Sequence, residues 1–159
     1  MTVPVWSRPI PLLVLLTACG GSSPNPTGPS APTSFLAGTW RGTVTIEVNP
    51  GDPNAQPPTS GAMQWTFEVV PQTNLQSFRA TVRSEHGWLT MATIATSALS
   101  PGNVPPTQIS TQGEFDSPRG CRGTFGSVGV AEATRIEADF TGTDCQQATF
   151  IGRVVLTKN

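Results

Sequence analysis

The stretch Thr39–Val48, TWRGTVTIEV, decides the fold class of this chain. Its even-numbered positions, from Trp40 to Val48, are apolar residues or glycine, whereas its odd-numbered positions are Thr, Arg and Glu. Strict alternation of this kind is typical of a β-strand that turns one face to a core and the other to water. The stretch therefore predicts a half-buried strand.

The same two-residue period recurs along the rest of the chain, with Gly, Pro, Asn and Asp between the runs. No apolar pattern with a 3.6-residue period reaches the length of a helix. The predicted strands are Thr39–Val48, Ala62–Val70, Gln76–Ser84, Gly87–Leu99, Thr107–Phe115, Cys121–Val130, Thr134–Thr141 and Ala148–Leu156. These runs predict an all-β domain.

Eight short strands in succession favour a single antiparallel up-and-down barrel, because closure leaves no strand edge exposed. A sandwich of two sheets produces the same local patterns and remains the alternative. The interior of an eight-stranded barrel is either filled by side chains or holds one small ligand. The sequence leaves both possibilities open.

The N-terminal part of the chain has a different composition. An apolar run, Ile10–Leu16, ends in Leu16-Thr17-Ala18-Cys19, and a tract rich in Gly, Ser and Pro follows up to Ser34. The run is too short to span a bilayer, and small residues at its end are typical of a secretory cleavage site. The Gly/Ser/Pro tract cannot bury enough apolar surface to fold, so it predicts a disordered tether.

The stretch that ends at Cys19 resembles the lipobox of bacterial lipoproteins. The resemblance implies a signal peptide over 1–18, a lipidated Cys19 within a tether over 19–34, and a barrel domain over 35–159. It implies a lipid-anchored protein of the cell envelope. By analogy with those lipoproteins, Gly20 favours the outer membrane, facing the periplasm or the cell surface. A plain signal peptide cleaved near Ala18 is the alternative.

The start of the domain, Gly38-Thr39-Trp40, resembles the G-x-W signature of lipocalin and other calycin barrels. The resemblance implies that Trp40 closes one end of the barrel and that Arg153 packs across it. The alternative places Trp40 simply in the core and Arg153 in water. Together with Thr141–Cys145, this start is also similar to short secreted lipoproteins that are mostly of unassigned function.

The two remaining cysteines, Cys121 and Cys145, predict a disulfide. An even number of cysteines outside the cytoplasm is typical of disulfide pairing. A hairpin that turns near 131–133 would place residue 121 opposite about residue 143, within reach of Cys145.

The sequence predicts no enzyme, no cofactor and no metal site. The single histidine, His86, lies in a turn, where we expect it in solvent, and Glu137 and Asp139 lie on the predicted wet face of a strand. A nucleophilic site needs a base and an orienting group beside the nucleophile. The formal net charge is −1 with no basic patch, which argues against nucleic acid as a partner.

Two functional hypotheses remain for a protein that we expect to be a monomer held to the membrane by lipid. The first is a binding module with a small apolar ligand inside the barrel, under the long loop 49–61. The candidate cavity residues are Ile46, Trp65, Phe67, Phe78, Val82 and Met91. The second is a module that binds an envelope protein, or inhibits a periplasmic enzyme, through its surface loops.

Overall fold

The computed structural model describes residues 34–55, 57–68, 77–89, 91–100 and 103–159. The predicted signal peptide, Cys19 and the tether up to residue 33 lie outside the described residues. The eight strands are β1 (Gly38–Val48), β2 (Thr59–Phe67), β3 (Ser77–Ser84), β4 (Met91–Ser100), β5 (Thr107–Ser117), β6 (Cys121–Ala131), β7 (Arg135–Thr143) and β8 (Thr149–Lys158). In the described ranges, the chain contains no helix that could cross a membrane.

The strands form one closed barrel in which each strand pairs antiparallel with its neighbours in sequence, and β8 pairs with β1. The prediction of an up-and-down barrel is confirmed. Each predicted strand overlaps an observed one, with ends that differ by a few residues. Because the barrel is closed, every strand has two hydrogen-bonded neighbours and no strand edge is left unpaired.

The alternation read from the sequence determines which side chains enter the barrel. In β1 the even-numbered positions are turned inward, so Trp40, Val44 and Ile46 are buried while Arg41 and Thr43 are less covered. Six large aromatic side chains are almost fully buried, each with at most 2% of its surface exposed. They are Trp40, Trp65, Phe67, Phe115, Phe140 and Phe150. Burying aromatic side chains of this size dominates the energetics of a small core.

Three phenylalanines fit into the barrel because each lies opposite a glycine on the neighbouring strand. Phe150 pairs with Gly142, and a Cβ at Gly142 would lie 2.3 Å from the Phe150 ring. The ring of Phe115 occupies the corresponding space beside Gly123. The third pair is Phe125 and Gly113. An aromatic ring that covers a cross-strand glycine is a recognised way to pin the register of a sheet.

One end of the barrel is closed by the residues that precede and begin β1. Leu36 is buried, and its carbonyl oxygen accepts a hydrogen bond of 2.8 Å from Trp40 Nε1. Lys158 Nζ lies 5.4 Å from the centre of the Trp40 ring and also donates to the carbonyl oxygen of Phe35. These contacts hold the Trp40 ring at the end of the barrel where β1 begins.

The predicted partner of Trp40 was wrong: the cation over its ring belongs to Lys158 and not to Arg153. Arg153 points to the outside, where its Nη2 lies 2.5 Å from Glu137 Oε2. The cause is the two-residue period, because residue 158 shares the inward parity of β8 whereas residue 153 does not. The pairing register also places Lys158 directly beside Trp40.

Candidate binding site

The opposite end of the barrel carries four connections, which we call the rim. Its described residues are 49–55 and 57–58 between β1 and β2, 85–89 between β3 and β4, 118–120 between β5 and β6, and 144–148 between β7 and β8. Because consecutive strands are antiparallel, these alternate connections all lie at the same end.

A pocket of about 590 Å³ opens on the rim between the β1–β2 loop and the β3–β4 connection. Pockets of about 300–1,000 Å³ are typical of small-molecule sites. Its uncharged hydrogen-bonding side chains are Asn49, Asn54, Thr59, Ser60 and His86, its one acidic side chain is Asp52, and Val48, Ala55, Pro57, Gly87 and Trp88 complete the described lining. The pocket therefore combines a polar wall with one aromatic side chain.

His86 connects the two walls of the pocket, which are formed by the β3–β4 connection and by the start of β2. Its Nε2 lies 2.8 Å from Thr59 Oγ1, and its Nδ1 accepts a hydrogen bond of 3.2 Å from the backbone N–H of Trp88. Since Nδ1 accepts, a neutral ring carries its proton on Nε2 and donates toward Thr59. The two contacts connect the start of β2 to the β3–β4 connection and give the pocket a defined shape.

The prediction that His86 is a solvated turn residue was wrong, since only 3% of its surface is exposed. The chain folds inward here because residue 61 is glycine: a Cβ on Gly61 would lie 2.5 Å from the His86 Cα. Leu89 follows His86 into the core and is fully buried. The β3–β4 connection thus covers the rim end of the barrel.

Trp88 is partly exposed and connects the pocket to the aromatic core. Its ring centre lies 5.8 Å from that of Phe150 and 6.1 Å from that of Phe115. Phe150 in turn stacks on Phe140, which stacks on Phe125. Edge-to-face and offset contacts at these distances are favourable, so the indole rests on a rigid base.

The β1–β2 loop is held by its own hydrogen bonds and by a contact to β8. Asn49 has a positive φ of 51°, and its backbone N–H and side-chain Oδ1 bond to the backbone of Thr149 at 2.8 and 3.2 Å. Asp52 Oδ1 accepts a hydrogen bond of 2.8 Å from the backbone N–H of Asn54. Asparagine tolerates the left-handed region and aspartate forms such Asx turns, so this sequence suits the loop.

The disulfide lies at the same end of the barrel. Cys121 and Cys145 are bonded, with their Cα atoms 6.1 Å apart, which confirms the predicted pair. The β6–β7 hairpin turns one or two residues later than predicted, which brings position 121 closer to position 145. The bond ties the β7–β8 connection to the start of β6.

Asp144 organises the connection beside this disulfide. Its carboxylate is buried and accepts backbone hydrogen bonds from Gln146 and Ala148 at 2.8 and 2.9 Å and one from Ser117 Oγ at 3.1 Å. Burial by itself raises the pKa of Asp144, but these hydrogen bonds and the charge of Arg119 outweigh it and hold the pKa below its ordinary value. We assign Asp144 a structural role.

The residues predicted to line an internal cavity are packed against other side chains. Ile46, Trp65, Phe67, Phe78 and Val82 have exposed fractions of at most 5%. These five side chains therefore have almost no contact with solvent. The side chain of the sixth, Met91, is not among those described. These five side chains belong to the buried core of the barrel.

Two buried polar atoms in this interior, Trp65 Nε1 and Ser127 Oγ, have no hydrogen-bond partner among the described residues. Nearby in the sheet register, Ser97 and Thr111 bond to each other at 2.8 Å. Ser97 and Thr111 have at most 2% of their surface exposed, so this hydroxyl pair is buried. Among the described residues, no group of three or more His, Cys, Asp or Glu side chains could hold a metal ion.

Sequence analysis placed the loop 49–61 at the barrel mouth but missed the site that it forms with Trp88. An aromatic residue in a turn, between Gly87 and Leu89, was the available signal. The contact of His86 with Thr59, 27 residues away, had no local signature. No protein-family description, no curated protein and no solved structure matches this chain.

Proposed function

We propose that this protein is a non-enzymatic binding module that holds a small ligand in the pocket at its rim. One observation carries the proposal: the rim offers a pocket of about 590 Å³ whose walls are joined through His86, whereas the side chains of Trp65, Phe67 and Val82 inside the barrel are almost completely buried. A preformed site lowers the entropic cost of binding. This differs from the hypothesis of an apolar ligand inside the barrel.

We also propose that a lipid on Cys19 tethers the module to the cell envelope. The support is the sequence of residues 10–19 and the Gly/Ser/Pro tract that follows. A flexible coil of that length would reach roughly 20 Å, and a polyproline-like chain up to about 45 Å. The rim lies at the end of the barrel away from the start of β1.

The alternative, a module that binds or inhibits another protein through its loops, would use the same rim. The shape of the rim favours a small ligand, because a concave pocket suits a small molecule better than a protein surface. An enzyme is the least supported class. The only histidine uses both ring nitrogens in structural contacts with Thr59 and Trp88.

The experiment is fluorine NMR of the full chain labelled with 5-fluorotryptophan, with each signal assigned by a Trp→Phe substitution. A panel of soluble cationic, anionic, saccharide and acyl compounds is titrated in. Trp88 lines the pocket and Trp65 lies inside the barrel. The two signals therefore distinguish a ligand bound at the rim from a ligand bound inside the barrel.

We expect at least one compound to move the Trp88 signal in a saturable way while the Trp65 signal stays in place. A compound that moves Trp65 and leaves Trp88 unchanged would place the ligand inside the barrel and overturn the proposal. A panel without any effect on Trp88 would overturn it as well.

A further inference from the structure

We infer that the ligand of the rim pocket is a neutral, hydroxyl-rich molecule of the saccharide class. This inference rests on the proposed function, because it assigns a ligand chemistry to the same pocket. It is carried by three properties of the described lining: its charge, its hydrogen-bonding groups and its single indole.

The charge of the lining disfavours anionic ligands. No Lys or Arg is among the described residues of the pocket, and Asp52 is its only acidic residue. Carboxylates and phosphates are recognised by charge-assisted hydrogen bonds, usually from Arg or Lys. A fatty acid, a nucleotide or a phosphorylated headgroup would therefore meet a carboxylate and no described cationic partner.

The charge also gives little support to a cationic ligand. The Asp52 carboxylate already accepts the backbone N–H of Asn54 at 2.8 Å, which orients it along the loop. A cation held between this carboxylate and the indole would leave the uncharged polar groups of the lining without a role. Those groups are more numerous than the charged ones.

The uncharged groups suit hydroxyls, which donate and accept at once. Asparagine amides offer two donors and an acceptor, and Ser and Thr hydroxyls offer one donor and two acceptor sites. Thr59 Oγ1 lies 2.8 Å from His86 Nε2, which holds this hydroxyl at the wall of the pocket. It retains capacity for a further hydrogen bond to a ligand.

The exposed part of Trp88 supplies the apolar contact that a sugar ring needs. One face of a pyranose presents C–H groups, which pack on the flat surface of an aromatic side chain. Phe115 and Phe150 hold the Trp88 ring from the barrel side. The aliphatic lining, Val48, Ala55 and Pro57, is too small to enclose a long acyl chain.

The test is isothermal titration of the full chain with cellobiose, maltose and N,N′-diacetylchitobiose, with choline chloride and decanoate as comparison probes. The variants are Trp88→Ala, Trp88→Phe and Asn54→Ala. The matched control is Thr124→Ala, which removes a hydroxyl from the exposed outer face of β6. The fluorine signals of Trp88 and Trp65 report where each probe binds.

We expect at least one saccharide to bind and to move the Trp88 signal. Trp88→Ala should weaken its binding about tenfold and Trp88→Phe less, as loss of a good aromatic contact predicts. Asn54→Ala should weaken it about threefold or more. Thr124→Ala should leave the dissociation constant unchanged. Asn54→Ala keeps the test informative if Trp88→Ala fails to fold.

The outcomes separate the inference from the function on which it rests. If choline or decanoate moves the Trp88 signal and no saccharide does, the pocket binds a ligand and the saccharide assignment is wrong. If Asn54→Ala and Thr124→Ala weaken a saccharide equally, the saccharide lies elsewhere and the assignment is again wrong. If no probe moves the Trp88 signal, both the saccharide assignment and the proposed function are overturned.

Discussion

Substitution of Gly142 by alanine should disturb both the core and the pocket, although Gly142 does not line the pocket. The added Cβ would lie 2.3 Å from the Phe150 ring and 2.5 Å from the backbone oxygen of Thr124. Neither neighbour is the free end of a flexible side chain. Phe150 packs on Phe140 and on Trp88, so its displacement is passed to the indole at the pocket.

The expected cost follows from this overpacking. Extra atoms forced into a well-packed core destabilise by about 1–3 kcal/mol. For a domain of this size, such a loss lowers the melting temperature by roughly 3–15 °C. Gly87→Ala is the matched control, because a Cβ at Gly87 would meet nothing within 4 Å.

Urea denaturation of the wild type and both variants gives the denaturation midpoints. The fluorine signal of Trp88 is recorded separately in native buffer. Gly142→Ala should lower the denaturation midpoint and shift the Trp88 signal, whereas Gly87→Ala should lower the midpoint little. If the two variants unfold at the same urea concentration, the close packing of Phe150 over Gly142 is refuted.

Three further predictions concern the disulfide, the buried acid and the closed end of the barrel. Replacing Cys121 and Cys145 by serine should lower the free energy of unfolding by about 3–4 kcal/mol, given their separation of 24 residues, as measured by urea denaturation without reductant; an unchanged midpoint would contradict this. The pKa of Asp144 is lower in the folded state than its ordinary value of 3.8. Its stabilising contribution is therefore present above pH 3.8 and is lost as the pH falls below that value. In that pH range the melting temperature of Asp144→Asn should depend less on pH than the melting temperature of the wild type, and equal slopes would argue against the assigned role. Lys158→Met should cost about 1–2 kcal/mol through its contacts at the closed end, and Arg153→Met, which breaks an exposed ion pair, should lower the melting temperature less than Lys158→Met does. The reverse order in thermal denaturation would argue that the arginine packs at that end.

The strands were predictable because their signal is local. In β1 and β7, apolar and polar residues alternate without interruption, so the pattern alone identifies the buried face. The closed barrel followed from the number of such strands and their short connections. The pairing of Cys121 with Cys145 followed from the hairpin between β6 and β7, whose two strands adjoin in sequence.

The rim pocket could not be predicted because it depends on contacts between distant loops. Gly61 admits the His86 backbone, and His86 then reaches Thr59, which places Trp88 beside the β1–β2 loop. None of these contacts has a repeating pattern. The mistaken choice of Arg153 has another origin: the two-residue period of β8 already placed Arg153 outside and Lys158 inside, but the family resemblance suggested an arginine.

If ligands bind at the rim and not inside the barrel, the inward side chains leave no apolar cavity. Diffraction from crystals of the protein pressurised with xenon measures this, because xenon occupies apolar cavities. We expect no xenon atom among the inward side chains of Trp65, Phe78 and Val82. A well-occupied xenon atom beside those side chains would refute this expectation and favour the barrel interior as the ligand site.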